Sequence, residues 1–327
     1  MEISRRVAIL TSIAGAASVA GKSLHAATFP TRPIRIVVPY SAGGVTDILS
    51  RLIADKAAGH LNDAKIFVDN RPGASGMLGT AQVAKAPPDG YTILMGSIAP
   101  LVIAKIVVSD LPYDPFLDLA PITQIAQAPV VLVVHPSMPA HNAQELLQLL
   151  KSNPGKFNYS SAGAGTPSHL ACELFKQRFG VDMLHVPYKG TGASFADLIA
   201  GRVQLTMETA AGVIPFINSG QLRPLGVASV DRSPLLKEVP TIEEQGLGQF
   251  EVSGWYGYLA PKDTPGAVID ALRNAISSAV NQPDVTARLI ELGAVPKTSS
   301  PEEFRILIQQ EHERWTPVVK SLDLNFK

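Results

Sequence analysis

A junction of an apolar strand, a small-residue loop and a helix start occurs twice in this chain, and it constrains the fold strongly. The first copy reads Ser-Ala-Gly-Gly-Val-Thr from Ser41 and follows the apolar pair Val37-Val38. The second copy reads Ser-Ala-Gly-Ala-Gly-Thr from Ser161, 120 residues later in the chain. Both copies precede an apolar helical pattern. Because strands that feed helices through short loops are typical of α/β sheets, the repeat predicts two similar α/β units.

The alternation of strand and helix patterns along the chain predicts a mostly parallel sheet covered by helices. The predicted strands are 34–38, 65–69, 92–96, 157–160, 183–186, 203–207 and 224–228. The predicted helices are 46–61, 77–85, 142–152, 168–178, 192–200, 264–281, 283–292 and 301–321.

Two extended runs, 130–135 and 253–260, predict crossings between two lobes. A discontinuous first lobe would comprise 28–130 and 254–327, and an inserted second lobe would comprise 131–253. Paired strand crossings form a hinge with a cleft between the lobes.

Each junction has the chemistry of an anion site. The first turn of a helix leaves backbone N–H groups without partners, and the helix dipole adds roughly half a positive charge there. Glycine and alanine let an anion approach the backbone closely. Two such junctions facing one cleft would hold a small carboxylate or phosphate from both sides.

Other interpretations of the junctions stay open. Both loops are also compatible with ordinary turns between strand and helix. Asp47 at the first helix start is expected to cap N–H groups, or else to meet a cationic part of a ligand. Thr166 is expected to cap the second helix, with Pro167 in its first turn. His169 would donate to an anion, or would be a surface or capping histidine.

The composition argues against a nucleic-acid partner. Lys plus Arg and Asp plus Glu both number 28, and the formal net charge is zero, so the basic face that nucleic acid requires is not expected. The single cysteine, Cys172, rules out an internal disulfide. It lies in an apolar helical pattern, where a buried core residue is expected.

The N-terminal segment has the pattern of a signal peptide. Arg5 and Arg6 precede an uncharged stretch, 7–20, that is rich in small and apolar residues. This order predicts a secretory signal over 1–27, cleaved near Ala26 or Ala27, and a protein outside the cytoplasm. The sequence leaves open export by the Sec or the twin-arginine route.

Motifs for catalysis, cofactors and metals are not found in the sequence. There is no G-x-S-x-G elbow, no phosphate-binding P-loop and no complete dinucleotide fingerprint. The seven histidines include no H-x-x-x-H pair, so no metal site is predicted. The pattern favours a binding protein without cofactor over a secreted hydrolase or isomerase that would use Asp47, Glu208 or His169.

Several segments together resemble the receptors of tripartite tricarboxylate transporters, the Bug family. They are Phe-Pro-Thr-Arg-Pro-Ile-Arg at 29–35, Val-Pro-Tyr-Ser-Ala-Gly-Gly-Val-Thr-Asp at 38–47, Val-Asp-Asn-Arg-Pro-Gly-Ala-Ser-Gly at 68–76, Pro-Asp-Gly-Tyr-Thr at 88–92, Leu-Pro-Tyr-Asp-Pro at 111–115, His-Val-Pro-Tyr-Lys-Gly at 185–190 and Trp-Tyr-Gly at 255–257. The resemblance extends from Phe29 to about Leu322.

The resemblance implies a periplasmic-binding-protein fold, a two-lobed flytrap of type II-like topology with two crossover strands at the hinge. It also implies a monomeric periplasmic receptor that captures a small carboxylate and presents it to membrane transporter subunits. By position, the residues that would bind the carboxylate are Tyr40, Ser41, Ala42, Gly43, Gly44, Thr46 and Asp47 in the first loop, Ser161, Ala162, Gly163, Gly165, Thr166 and His169 in the second, and Ser97 and Glu208 at two strand ends.

The sequence departs from the family pattern at several of these positions. Tyr40 and Ser41 replace the usual Phe and Pro, and Glu208-Thr209 replaces the common Asp-Asn. The segment after Ser97 is apolar where the family has Asn. The apolar segment would favour an aromatic or partly apolar carboxylate over citrate. A dicarboxylate, a tricarboxylate and an aromatic acid all stay open as ligands. A receptor of an ATP-driven importer and a receptor that presents its ligand to a sensor remain alternatives.

Overall fold

The computed structural model of the chain describes residues 29–43, 45–161, 163, 166–188 and 191–321. The predicted signal peptide and its cleavage near Ala26 or Ala27 lie outside the described residues, as do Gly44, Ala162 and Gly165 of the predicted loops. Within the described ranges, no helix combines the length and apolar character that crossing a bilayer requires.

Ten strands and ten helices organise the described residues. The strands are β1 Ile34–Val38, β2 Ile66–Asn70, β3 Thr92–Ser97, β4 Leu119–Val134, β5 Asn158–Ser161, β6 Leu184–Pro187, β7 Leu205–Thr209, β8 Arg223–Val227, β9 Ser253–Pro261 and β10 Val295–Pro296. The helices are α1 Val45–Ala58, α2 Met77–Ala84, α3 Ala104–Val107, α4 Ala143–Ser152, α5 Pro167–Phe179, α6 Thr191–Ile199, α7 Ala210–Asn218, α8 Gly266–Val280, α9 Pro283–Glu291 and α10 Pro301–Ser321. A short 3₁₀ turn, Ala74–Gly76, and π-helical segments at Ala99–Ile103 and Glu243–Leu247 complete these elements.

The strands form one mixed sheet in the order β2-β1-β3-β9-β4-β7-β5-β6, and β8 and β10 also pair with β4. Strand β1 is parallel to β2 and β3, and β5 is parallel to β6 and β7. The pairs that involve β4 and β9 are antiparallel. The predicted parallel sheet is therefore correct within each group of βα units, and it is wrong for the strands that join the groups.

Strand β4 joins the two groups of strands. Its first part, up to Pro129, pairs with β9, and its last part, from Val130, pairs with β7 and β8. The predicted extended run at 130–135 covers only the second part. The first part of β4 was not predicted as a strand, because its prolines and the polar pair Thr123-Gln124 interrupt the apolar pattern. Thr123 and Gln124 are nevertheless buried. They are tolerated there because Thr123 Oγ1 donates to the Ser299 carbonyl at 2.9 Å and Ser299 Oγ accepts the Gln124 N–H.

Three further elements were not predicted from the sequence. Helix α7 was not predicted, because Gly212 and Pro215 are both unfavourable in helix interiors. The π-helical segment Ala99–Ile103 continues into α3, and neither was predicted. The π-helical segment and α3 line the cavity described below.

Helices cover the sheet on both sides and bury its apolar residues. Helices α1 and α8 cover β1, β3 and β4, with Leu49, Ile53 and Leu272 among the buried side chains. Helix α5 packs against β5 and β7, and the predicted core residue Cys172 is fully buried there as a free thiol. This packing fixes the carboxyl ends of β1, β3, β5 and β7, where the candidate site residues lie.

Candidate functional site

A cavity of about 430 Å³ lies where the two strand–helix junctions approach each other. Tyr40 and Thr46 reach it from the first junction, and Thr166 reaches it from the second. Ser75, Ser97 at the end of β3, Thr209 at the end of β7 and Tyr256 in β9 complete its polar lining. Its volume is within the range of pockets that bind small molecules.

A hydrogen bond between Tyr40 and Ser97 fixes one edge of the cavity. The Tyr40 hydroxyl lies 2.7 Å from Ser97 Oγ. Burial raises the pKa of Tyr40 to about 12, against the opposing effect of the Ser97 hydroxyl. Both hydroxyls are therefore neutral at physiological pH, and each can donate one hydrogen bond.

Asp47 holds the first loop in place. Its side chain is buried, and its carboxylate accepts the Gly43 N–H at 2.8 Å and the Asn70 amide at 3.0 Å. Arg51 pairs with the same carboxylate at 2.9 Å. Burial alone would raise the pKa of Asp47, but these three donors hold it below the usual value. This geometry matches the capping role expected for Asp47, and the carboxylate does not line the cavity.

The other described residues of the first loop are exposed. Ser41, Ala42 and Gly43 lie on the surface beside the cavity and do not line it. Gly43 has φ +84°, a conformation that favours glycine, and a side chain there would meet no atom within 4 Å.

Ser161 and Thr166 are turned toward their own loop. Ser161 is buried and lies 2.7 Å from His185 Nε2, while it accepts the Gly163 N–H at 3.2 Å. Thr166 Oγ1 donates to the Gly163 carbonyl at 2.6 Å. Thr166 occupies the predicted N-cap position with Pro167 in the first turn, but its hydroxyl makes no bond to the helix N–H groups.

His169 is buried and does not line the cavity. Its ring stacks on His185 at a centroid distance of 4.0 Å, and His185 stacks on Tyr159 at 4.8 Å. Burial and the neighbouring His185 lower the pKa of His169 to about 4. His169 is therefore a neutral member of a stacked group behind the second loop.

Glu208 does not line the cavity, but the next residue, Thr209, does. Glu208 is half-buried, and its carboxylate accepts the backbone N–H of Thr209 at 2.8 Å. Burial raises the pKa of Glu208, although hydrogen bonds from Thr209 and Ser168 oppose this. Burial raises the pKa of Tyr256, and the neighbouring acidic groups of Tyr40 and Glu208 raise it further.

Apolar residues that the sequence analysis did not assign to the site form the rest of the wall. Residues from the π-helical segment and α3 contribute one side, and Met77 and Trp255 contribute others. The Trp-Tyr-Gly run at 255–257 was a signal for this region, since it lies in a predicted crossing strand. The residues around Val107 carried no such signal.

Comparison with known proteins identifies the family of this chain. Residues 49–324 match the family model described as tripartite tricarboxylate transporter family receptor. The chain belongs to this family. A Pseudomonas sp. (strain P51) protein in the tcbD-tcbE intergenic region is 40% identical over 298 residues, which are 91% of this chain and 88% of that protein.

Two solved structures are similar to the receptor along most of its length. An R. palustris structure with adipate has a TM-score of 0.78 and 35% identity, and the match covers 89% of this chain and 97% of that one. MatC from Rhodopseudomonas palustris with bound malate has a TM-score of 0.75 and 33% identity, with coverage of 89% and 100%. These matches confirm the predicted α/β, two-lobed periplasmic-binding-protein fold and the predicted receptor family.

Proposed function

We propose that this receptor binds a small carboxylate in the cavity between its two lobes and delivers it to the membrane subunits of a tripartite tricarboxylate-type transporter. The observation that carries the proposal is the convergence of both strand–helix junctions on one cavity. Family membership supplies the transport role, and the relatives with adipate and malate favour a carboxylate.

The ligand would be held by neutral donors. Tyr40, Ser97 and Thr46 present hydroxyls to the cavity. The Thr166 hydroxyl and the Gly43 N–H already donate to the Gly163 carbonyl and the Asp47 carboxylate, so a ligand would have to displace those contacts to use them. Charge-assisted hydrogen bonds are worth about 1.5–3 kcal/mol each, so a few of them would support micromolar affinity, about −8 kcal/mol. Gly44, Ala162 and Gly165 remain predicted members of the same loops.

The lobes are proposed to be 28–130 with 254–327, and 131–253. Strand pairing supports this division, because β4 changes partners at Pro129–Val130 and β9 begins at Ser253 opposite Pro129. Strands β4 and β9 would then act as the hinge, and closure would bring the Thr166 side of the cavity onto the Tyr40 side.

We further propose that the receptor is a periplasmic monomer without catalytic activity, cleaved near Ala26 or Ala27. The carboxylate would be released unchanged, because the proposed polar contacts are hydroxyls and backbone groups, and His169 and Asp47 are engaged elsewhere.

A binding assay with chemical recovery tests the function. The purified chain is incubated with malate, adipate, benzoate and hexanoate, and thermal unfolding and calorimetry are followed by mass spectrometry of the ligand. At least one carboxylate should raise the Tm and be recovered unchanged. No binding by any carboxylate would refute the function, and a converted product would refute the absence of catalysis.

A further inference from the structure

The cavity has one wall that is continuously apolar. The segment from the end of β3 through α3 contributes Ile98, Ile103, Val107 and Val108 to it. Met77 and the ring of Trp255 line the cavity elsewhere. Among the described residues that line the cavity, none carries a charged side chain. A wall of this kind accepts hydrocarbon and provides nothing to pair with a charge.

Surrounding contacts hold this wall in place. The Tyr113 hydroxyl donates to the Pro100 carbonyl at 2.6 Å, which fixes the π-helical segment from behind. Leu101 and Val102 of the same segment are fully buried. Because close-packed interiors resist rearrangement, the wall is not free to turn polar groups toward a ligand.

The polar groups of the cavity suit a single carboxylate. They come from the two junctions, from the ends of β3 and β7, from β9 and from Ser75 in the short 3₁₀ turn. Tyr40 and Ser97 are already joined to each other, which leaves one spare donor between them. Thr46 and Thr209 can add hydroxyl donors, whereas the Thr166 hydroxyl already donates to the Gly163 carbonyl. These groups can serve the two oxygens of one carboxylate.

A second carboxylate would meet unfavourable surroundings. Against the wall it would lose water without gaining a partner, which is costly for an ionised group. Near Thr209 it would approach Glu208, whose carboxylate accepts the Thr209 N–H at 2.8 Å. An ionised Glu208 would repel that carboxylate, and a ligand carboxylate there would raise the pKa of Glu208 further.

Resting on the proposed function, we propose that the ligand is a monocarboxylate with an apolar body, an aliphatic chain or an aromatic ring. Its carboxylate contacts the hydroxyls at the Tyr40–Ser97 edge, and its body lies against the wall formed by Ile98, Ile103, Val107 and Val108. Di- and tricarboxylates are disfavoured by the same wall.

Matched pairs of ligands test this assignment by calorimetry on the purified chain. Hexanoate is compared with adipate, which has the same chain length, and benzoate is compared with terephthalate. In each pair the monocarboxylate should bind at least about tenfold more tightly, because the diacid must desolvate a second charge. From butanoate to hexanoate, affinity should rise about fourfold per methylene.

The outcomes separate this inference from the proposed function. If adipate or terephthalate binds as tightly as its monocarboxylate partner or more tightly, the monocarboxylate assignment is overturned and the carboxylate receptor stands. If none of the four acids binds and malate does not bind either, the proposed function is refuted, and the monocarboxylate assignment is refuted as well.

A pair of neighbouring variants tests the wall itself. Val107 and Ile106 both lie half-buried in α3, but only Val107 lines the cavity. Val107→Asn should weaken hexanoate binding at least about fivefold, since a polar amide replaces apolar contact, whereas Ile106→Asn should stay within about twofold. Equal losses of hexanoate affinity in both variants would overturn the role of the wall. The series from butanoate to hexanoate tests contact between the ligand's apolar body and the wall in the unaltered chain.

Discussion

The hydroxyl of Tyr40 lies 2.7 Å from Oγ of Ser97, and this contact ties the loop after β1 to the end of β3. The Tyr40 ring also lies close to Gly76, where an added Cβ would be 3.2 Å from the hydroxyl oxygen. Three segments separated in sequence therefore meet at one tyrosine. A ligand that contacts Tyr40 is positioned by all of them.

Tyr40→Phe should weaken ligand binding by about 1–2 kcal/mol with little loss of fold stability. The change removes one donor and leaves the Ser97 hydroxyl without its partner. Calorimetry with hexanoate or benzoate measures the loss. Tyr91→Phe is the control, because the Tyr91 hydroxyl accepts the Thr31 N–H at 2.8 Å and Tyr91 does not line the cavity. Equal losses in both variants would contradict a direct role for Tyr40.

Gly43→Asp should abolish thermal stabilisation by the ligand, because a fixed negative charge beside the cavity repels a carboxylate. Gly43→Ala is the matched control. An added Cβ meets no atom within 4 Å, and φ +84° strains alanine by roughly 1–2 kcal/mol and aspartate by no more than that. The difference between them isolates the charge. Retained stabilisation in Gly43→Asp at saturating hexanoate or benzoate would remove the first loop from the site.

The sequence predicted the junctions well because their signals are local. Strand β1 matches its predicted range, and α1 begins one residue before the predicted start. The capping role of Asp47 also follows from its place in the first turn. Its partner Asn70, 23 residues away, could not be predicted, because that contact arises only when β2 pairs with β1.

The apolar residues of the cavity wall could not be predicted from the sequence, for a related reason. Ser97 and Thr166 were predicted through the resemblance, and both line the cavity. Val107 and Trp255 line it because the π-helical segment and β9 are brought there by tertiary packing. Apolar residues carry the same pattern whether they face a core or a ligand, so periodicity alone does not separate the two.

Because the pKa of buried His169 is low, we expect the free energy of unfolding to depend on pH. The pKa of His169 is lowered to about 4 by burial and by His185, with Lys176 acting in the same direction and Glu173 against it. An unfolded histidine has a pKa near 6.5, so the unfolded chain binds more protons between these values. The stability contributed by neutral His169 is complete above about pH 6.5 and falls as the pH drops toward 4, by up to about 3 kcal/mol.

Urea unfolding at pH 7 and pH 5 measures this effect. His169→Gln should show a smaller loss between the two pH values than the unaltered chain, whatever its absolute stability. His141→Gln replaces an exposed histidine and should keep the original loss. The same pH dependence in all three proteins would show that His169 does not titrate in the expected direction.

The pKa of Asp47 is also below the usual value for an aspartate. The ionised Asp47 therefore contributes to stability down to acidic pH, and this contribution is lost only as the pH falls through that lowered pKa.

Gly257→Ala should destabilise the fold by about 2–3 kcal/mol, because the site has no room for a methyl group. An added Cβ would lie 2.4 Å from Phe304 Cζ and 2.8 Å from the Thr123 carbonyl of the neighbouring strand β4. Phe304 is fully buried and packs edge-on against Trp255, so it has little freedom to move.

Gly254→Ala, on the same strand, is the control for this substitution. Its Cβ would meet Ala128 at 3.6 Å, an ordinary contact, so stability should change by less than about 1 kcal/mol. Urea unfolding of both variants measures the difference. A Gly257→Ala protein as stable as Gly254→Ala would show that β4 and β9 separate easily, which contradicts the close packing of the two strands proposed to form the hinge.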